Sequence, residues 1–186
     1  NVSNRKIVQG LIDDLKISKE KELKVIRAID KLDKPGFGLK GVEELLKKER
    51  KDQSGAITKG ADLSDEQVNQ ILNFLKIKEL KELKSTLKNS LSQEGIKELE
   101  DVFEVLGYGP NLNQVRTNFT IVRGLAYYSD FILETNLNFK ITNNKGKEED
   151  IGSICSGGAY AKLISRFKGV DIPGTGISFG VDRLLF

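Results

Sequence analysis

The 186-residue chain has no histidine, no methionine and no tryptophan, and a single cysteine, Cys155. Without histidine, these residues hold no Ser-His-Asp or Cys-His nucleophile system and no imidazole metal site. One cysteine allows neither an internal disulfide nor a cysteine-cluster zinc site, which suits a reducing compartment. A chain that starts at its own initiation codon carries a methionine unless it is trimmed, so Asn1 reads as a cut end. No apolar run approaches the roughly 20 residues that cross a bilayer, and no signal-peptide core follows Asn1. What is present is 38% hydrophobic and 31% charged residues, with 30 Lys+Arg against 27 Asp+Glu and a net charge of +3. Such a chain can bury a core, and its length fits one or two domains.

Divided near Pro110, the chain reads as two texts. Residues 1–110 carry 21 Lys+Arg and 20 Asp+Glu, whereas residues 111–186 carry only 9 and 7. The first part reads as amphipathic helices with solvated faces, the second as a sheet with more buried surface. Ile7, Val8, Leu11, Ile12 and Leu15 form one helical stripe, and Val68, Ile71, Leu72 and Leu75 form another. Ser64 followed by Gln67 is a capping-box start for the second of these helices. Leu80, Leu83, Leu87 and Leu91 continue at helical spacing. Ile96, Leu99, Phe103 and Leu106 make a last helix, stopped by Gly107, Gly109 and Pro110. Residues 34–41 and 51–62 read as loops. Lysines 78, 81, 84 and 88 read as a solvated helix face, with contact to nucleic-acid phosphates as the alternative.

Beyond Pro110 the apolar period changes from about 3.6 to 2. Phe131, Leu133, Thr135, Leu137, Phe139 and Ile141 alternate as one long half-buried strand. Asn143, Asn144, Lys145 and Gly146 can turn the chain, so that residues 150–155 return as a second strand. Residues 115–122 are a third strand candidate. Tyr160, Leu163, Ile164 and Phe167 describe a short helix, residues 176–179 a last strand, and residues 180–186 the opening of a helix. The fold class is α+β, an antiparallel sheet with helices.

Three segments are unlike ordinary scaffold. In Val122-Arg123-Gly124-Leu125-Ala126-Tyr127-Tyr128, an arginine beside β structure can neutralise a phosphate or carboxylate, and a tyrosine hydroxyl can orient a polar ligand. A strand-entry turn with two core aromatics would give the same text. In Ser156-Gly157-Gly158-Ala159-Tyr160, a strand ends in paired glycines and opens a helix, where a ligand can approach the backbone and an anion is favoured; a tight turn without a ligand is the alternative. In the run from Pro173 through Gly174, Gly176 and Gly180 to Asp182 and Arg183, glycines punctuate a buried strand and hand over to a helix. Its guanidinium can stack on a flat base or pair with a phosphate, or simply be solvated.

In order and spacing together, these segments resemble the histidyl-tRNA synthetases of the class II aminoacyl-tRNA synthetase superfamily. That family has an Arg-Gly-Leu-Asp-Tyr-Tyr segment, a Gly-Gly-Arg-Tyr-Asp segment and a third motif ending in Gly-Leu-Glu-Arg, matched here by the segments beginning at Arg123, Gly157 and Gly176. Asn4-Arg5-Lys6 and the run from Ala28 to Lys34 look like the start of the helical insertion of the eukaryotic-type branch. The resemblance implies a class II antiparallel catalytic core with a helical insertion: residues 1–6 as the trailing edge of the core, 7–110 as the insertion and 111–186 as the C-terminal part of the core. It implies Arg123 as the catalytic residue between the histidine carboxylate and the α-phosphate. Tyr127, Tyr128, Gly157, Gly158 and Tyr160 would form the histidine pocket, and Arg183, Gly176 and Gly180 would lie at ATP. ATP with Mg2+, histidine and tRNA(His) are the implied partners of a cytoplasmic homodimer in which this chain is an inner piece, inactive alone. Ala126, Ala159 and Ala161 depart from the family's Asp, Arg and Asp, which would also suit the non-aminoacylating paralogue that serves as regulatory subunit of ATP phosphoribosyltransferase.

Overall fold

The computed structural model describes the chain apart from residues 52–54, 110–111, 123–127, 143–145, 161–164, 166, 171 and 186. Strand β1 (Val2–Asn4) runs directly into helix α1 (Arg5–Asp14), and Asn4 serves both. Its backbone is extended, and its side chain caps the helix by accepting from the Lys6 amide at 3.0 Å. The expected stripe of Ile7, Val8, Leu11 and Ile12 is buried. The helix ends with Lys16 in the left-handed region, the Ile17 amide donating to the Ile12 carbonyl at 3.1 Å and the Lys16 amide to Asp13 at 3.0 Å.

Helices α2 (Lys19–Ile29), α3 (Gly38–Lys47), α4 (Asp65–Phe74), α5 (Leu80–Thr86) and α6 (Ser90–Leu106) complete the helical part. The capping box of α4 forms as the spacing predicts: Ser64 Oγ accepts from the Gln67 amide, and Gln67 Oε1 accepts from the Ser64 amide at 3.1 Å. The same Gln67 side chain donates to the Leu15 carbonyl at 2.8 Å, tying α4 to the end of α1. Helices α1 and α6 cross closely, because Gly10 leaves space that a Cβ would take from Ser92 and the Ser92 hydroxyl donates to the Ile7 carbonyl at 3.2 Å. Ile7, Ile26, Leu46, Ile71, Leu83, Ile96 and Leu99 are fully buried in one core that also takes in Val2, Phe119 and Val122.

A four-stranded antiparallel sheet follows the order β1, β4 (Phe131–Asn136), β7 (Ser153–Ala159), β8 (Thr175–Phe179). Helix α7 (Val181–Leu184) leaves the end of β8. Several sequence expectations are corrected here. The long strand stops at Asn136, where the register shifts between Thr135 and Asn136. Phe139 is exposed, and a separate hairpin pairs β5 (Ile141–Thr142) with β6 (Glu148–Glu149). Residues 115–122 contribute a single bridge, at Thr117. The Asn118 side chain accepts from the Thr120 amide at 3.1 Å and from its hydroxyl at 2.6 Å, and this local turn competes with a ladder. Residues 51–62, expected as a loop, contribute to a polar hairpin of β2 (Glu49–Lys51) with β3 (Ile57–Lys59), and within the expected loop 34–41 the stretch Gly38–Gly41 belongs to α3. Leu91 lies in α6 rather than continuing α5. Phe167 is exposed, while Leu163 and Ile164 lie outside the described residues, as does the turn at 143–145.

Candidate active site

The strand register arranges the site. Residues directly opposed across antiparallel strands share a face, and successive residues alternate faces. Ile132, Gly158 and Gly176 therefore form one row, and Glu134, Ser156 and Ser178 the next row on the same face. Four of these six residues are glycine or serine, so this face is a low floor across β7 and β8.

Two tyrosines stand on the glycines. A Cβ on Gly158 would come 2.9 Å from the Tyr128 ring, and one on Gly176 would come 2.5 Å from the Tyr160 hydroxyl. Gly174, just before β8, lies under the same Tyr160 ring, and its carbonyl accepts from the Tyr160 amide at 2.8 Å. The Ser129 amide donates to the Ala159 carbonyl at 2.9 Å, which fixes the strand-entry segment against the end of β7. The two ring centroids are 6.5 Å apart at an interplanar angle of 36°. The glycines are thus space for aromatic rings as much as openings for a ligand.

At the other end of β8, the first turn of α7 carries Arg183. Its guanidinium donates to the Ser153 carbonyl, and its side chain runs along Gly180. These residues, with Ile154, Ser156 and Ser178, line a cavity of about 180 Å³. From Gly176 to Gly180 the strand rises about 13 Å, at roughly 3.3 Å per residue. A ligand of that length can lie on the floor with one end between tyrosines and a planar or anionic end at the guanidinium.

The structure thus brings Tyr128, Gly158, Tyr160 and Gly176 together, and places Gly180 and Arg183 at the far end of the same strand. Gly157 faces the other side, where a Cβ would collide with the Gly176 carbonyl oxygen, so close strand pairing accounts for it. The paired glycines lie within β7, which ends one residue later at Ala159; the helix expected to open there falls on 161–164, outside the described residues. Arg123, Ala126, Tyr127 and Ala161 lie outside the described residues. Sequence reasoning missed Ser156 and Ser178 as floor residues and the Ser153 carbonyl as the partner of Arg183. Only the register could have found them, because small residues twenty-two positions apart give no local signal.

The chain matches a family model described as histidyl-tRNA synthetase over residues 1–184. It is 76% identical over 186 residues to the histidine–tRNA ligase of Pelagibacter ubique, covering 100% of this chain and 40% of that protein. It is 40% identical over 205 residues to the histidine–tRNA ligase of Cereibacter sphaeroides, covering 99% and 40% respectively. Among solved structures, the histidyl-tRNA synthetase from Nostoc sp. PCC 7120 superposes with a TM-score of 0.72 at 32% identity, over 100% of this chain and 40% of that one. An ATP phosphoribosyltransferase regulatory subunit/histidyl-tRNA synthetase from Bacillus halodurans C also gives 0.72, over 99% of this chain and 42% of its own, and at 18% identity shows the fold alone. The chain spans about 40% of the length of the curated relatives it matches.

Proposed function

The chain belongs to the histidyl-tRNA synthetase family, and from that premise we propose that the full-length protein is a cytoplasmic, homodimeric histidine–tRNA ligase. Residues 7–110 are its helical insertion, with residues 1–6 and 111–186 in its catalytic core. The histidine carboxylate oxygen attacks the α-phosphorus of ATP, the bond to the β-phosphate bridging oxygen breaks, and pyrophosphate leaves. The acyl group of the adenylate then passes to a terminal hydroxyl of tRNA(His), and AMP departs. Mg2+ enters bound to the ATP phosphates, as part of that substrate.

The chemistry needs two anions held together and the added transition-state charge neutralised, with no protein nucleophile. Residues 1–186 contain no histidine, and this step asks for none of them to be one. Arg123 bridges carboxylate and α-phosphate, Tyr127, Tyr128 and Tyr160 enclose the histidine side chain above Gly158 and Gly176, and Arg183 holds the adenine beside Gly180. The observation that carries the reading is the shared floor, with its tyrosine pair at one end and Arg183 at the other. Ala159, where the family's arginine stands, favours a second reading as a non-aminoacylating regulatory paralogue, and an activation assay separates the two. Arg123→Ala in the full-length protein is expected to lower histidine-dependent pyrophosphate exchange by about two decades or more, roughly 3 kcal/mol, with an unchanged melting temperature. Wild-type exchange by that variant would refute the assignment.

A further inference from the structure

The tripeptide Asn4-Arg5-Lys6, at the junction of β1 and α1, touches both flanks of the segment that carries Arg123. On one flank, Arg5 Nη1 donates to the Val122 carbonyl oxygen at 3.1 Å. On the other, the Arg5 amide donates to the Asp130 carbonyl oxygen at 2.8 Å, and the Lys6 ammonium lies 2.9 Å from Asp130 Oδ1. Asp130 follows Tyr128 by two residues, and its second carboxylate oxygen accepts from the Ser129 hydroxyl.

The same ammonium is anchored to α6. It pairs with Glu94 Oε1 at 2.8 Å and with Glu98, whose other oxygen accepts from Asn4 Nδ2 at 2.6 Å. The Lys6 side chain is only 17% exposed. Burial works against its charge, but the hydrogen bonds to Glu94, Glu98 and Asp130 outweigh burial and raise it above the ordinary lysine value, so it is protonated at neutral pH. Burial lowers the Arg5 guanidinium from its ordinary value, with Glu22 opposing; a guanidinium remains charged regardless. Two adjacent cations in the first turn of α1, whose apolar stripe is locked in the core, therefore hold Val122 and Asp130, the Glu94 and Glu98 pairs being secondary supports.

We propose that Arg5 and Lys6 are positioning residues for amino-acid activation, holding Val122 and Asp130 so that the intervening Arg123 meets the reacting carboxylate and phosphate. The inference rests on the reading that the full-length protein activates histidine. It assigns the strand–helix junction a kinetic role besides its structural one.

The test uses the full-length protein and histidine-dependent pyrophosphate exchange, with thermal unfolding of every variant. Asp130→Asn, which loosens only the segment's side of the network, is expected to lower kcat roughly 10- to 100-fold with a near-normal KM for ATP. Lys6→Met and Arg5→Met lower kcat by at least as much, and Lys6→Arg recovers most of the Lys6→Met loss. The Glu94→Gln, Glu98→Gln double variant loosens only the helix side and is expected to lower the melting temperature while kcat stays within about threefold, the size of a partly exposed ion-pair effect. Undiminished kcat in Asp130→Asn, or kcat losses that simply follow the melting temperature across the series, would overturn the proposal. Absence of exchange in the wild-type protein would instead overturn the underlying reading of function.

Discussion

The helical region and the β8 end of the sheet use opposite materials. In the helices, Ile26, Leu46, Ile71, Leu83, Ile96 and Leu99 are fully buried against one another. On β7 and β8, the face that holds the tyrosines is made from Gly158, Gly176, Ser156 and Ser178, while Ile177 and Phe179 are exposed. A buried leucine or isoleucine contributes apolar area and many dispersion contacts, and truncating it leaves a cavity. A glycine in a strand contributes no side chain to pack and weakens the strand, so its recurrence in register marks a place where something else must fit. Stability is concentrated in one region and ligand geometry in the other.

Three substitutions in the full-length protein would break or sharpen that contrast. The largest stability effect is expected from Ile96→Ala, about 2–5 kcal/mol by denaturant titration, with exchange activity per folded molecule unchanged. A loss of activity in the folded fraction would show that the two regions are not separable at that position. Gly158→Ala comes next: its Cβ would lie 2.5 Å from the Phe131 carbonyl oxygen and 2.9 Å from the Tyr128 ring. A stability cost of roughly 1–3 kcal/mol should accompany a rise of about tenfold in KM for histidine, because the ring that must move lines the pocket. An unchanged KM would remove Tyr128 from the pocket. The smallest effect is Ser64→Ala, about 1 kcal/mol of stability from the lost cap, with exchange kinetics as in wild type.

The same contrast explains what was legible in the sequence. The α1 and α4 stripes and the Ser64–Gln67 capping box depend on residues three or four apart, so local pattern was enough to place them. The antiparallel β7–β8 pairing sets Gly158 opposite Gly176, eighteen positions away, and no local period reports that. Residues 115–122 look like a strand by apolar content, but the Asn118 side chain takes up the Thr120 amide and closes a turn. The hairpin of β2 and β3 was invisible because its side chains are mostly exposed and polar. The site motifs were found as glycines and tyrosines in the right order. Their division of labour, with Gly158 and Gly176 under rings and Gly157 against a neighbouring strand, required the register.

The most direct measurement is amino-acid-dependent exchange of radiolabelled pyrophosphate into ATP by the purified full-length protein. Exchange is expected to require histidine and to be absent with the other amino acids. No exchange with histidine, or equal exchange with other amino acids, would contradict the proposed function.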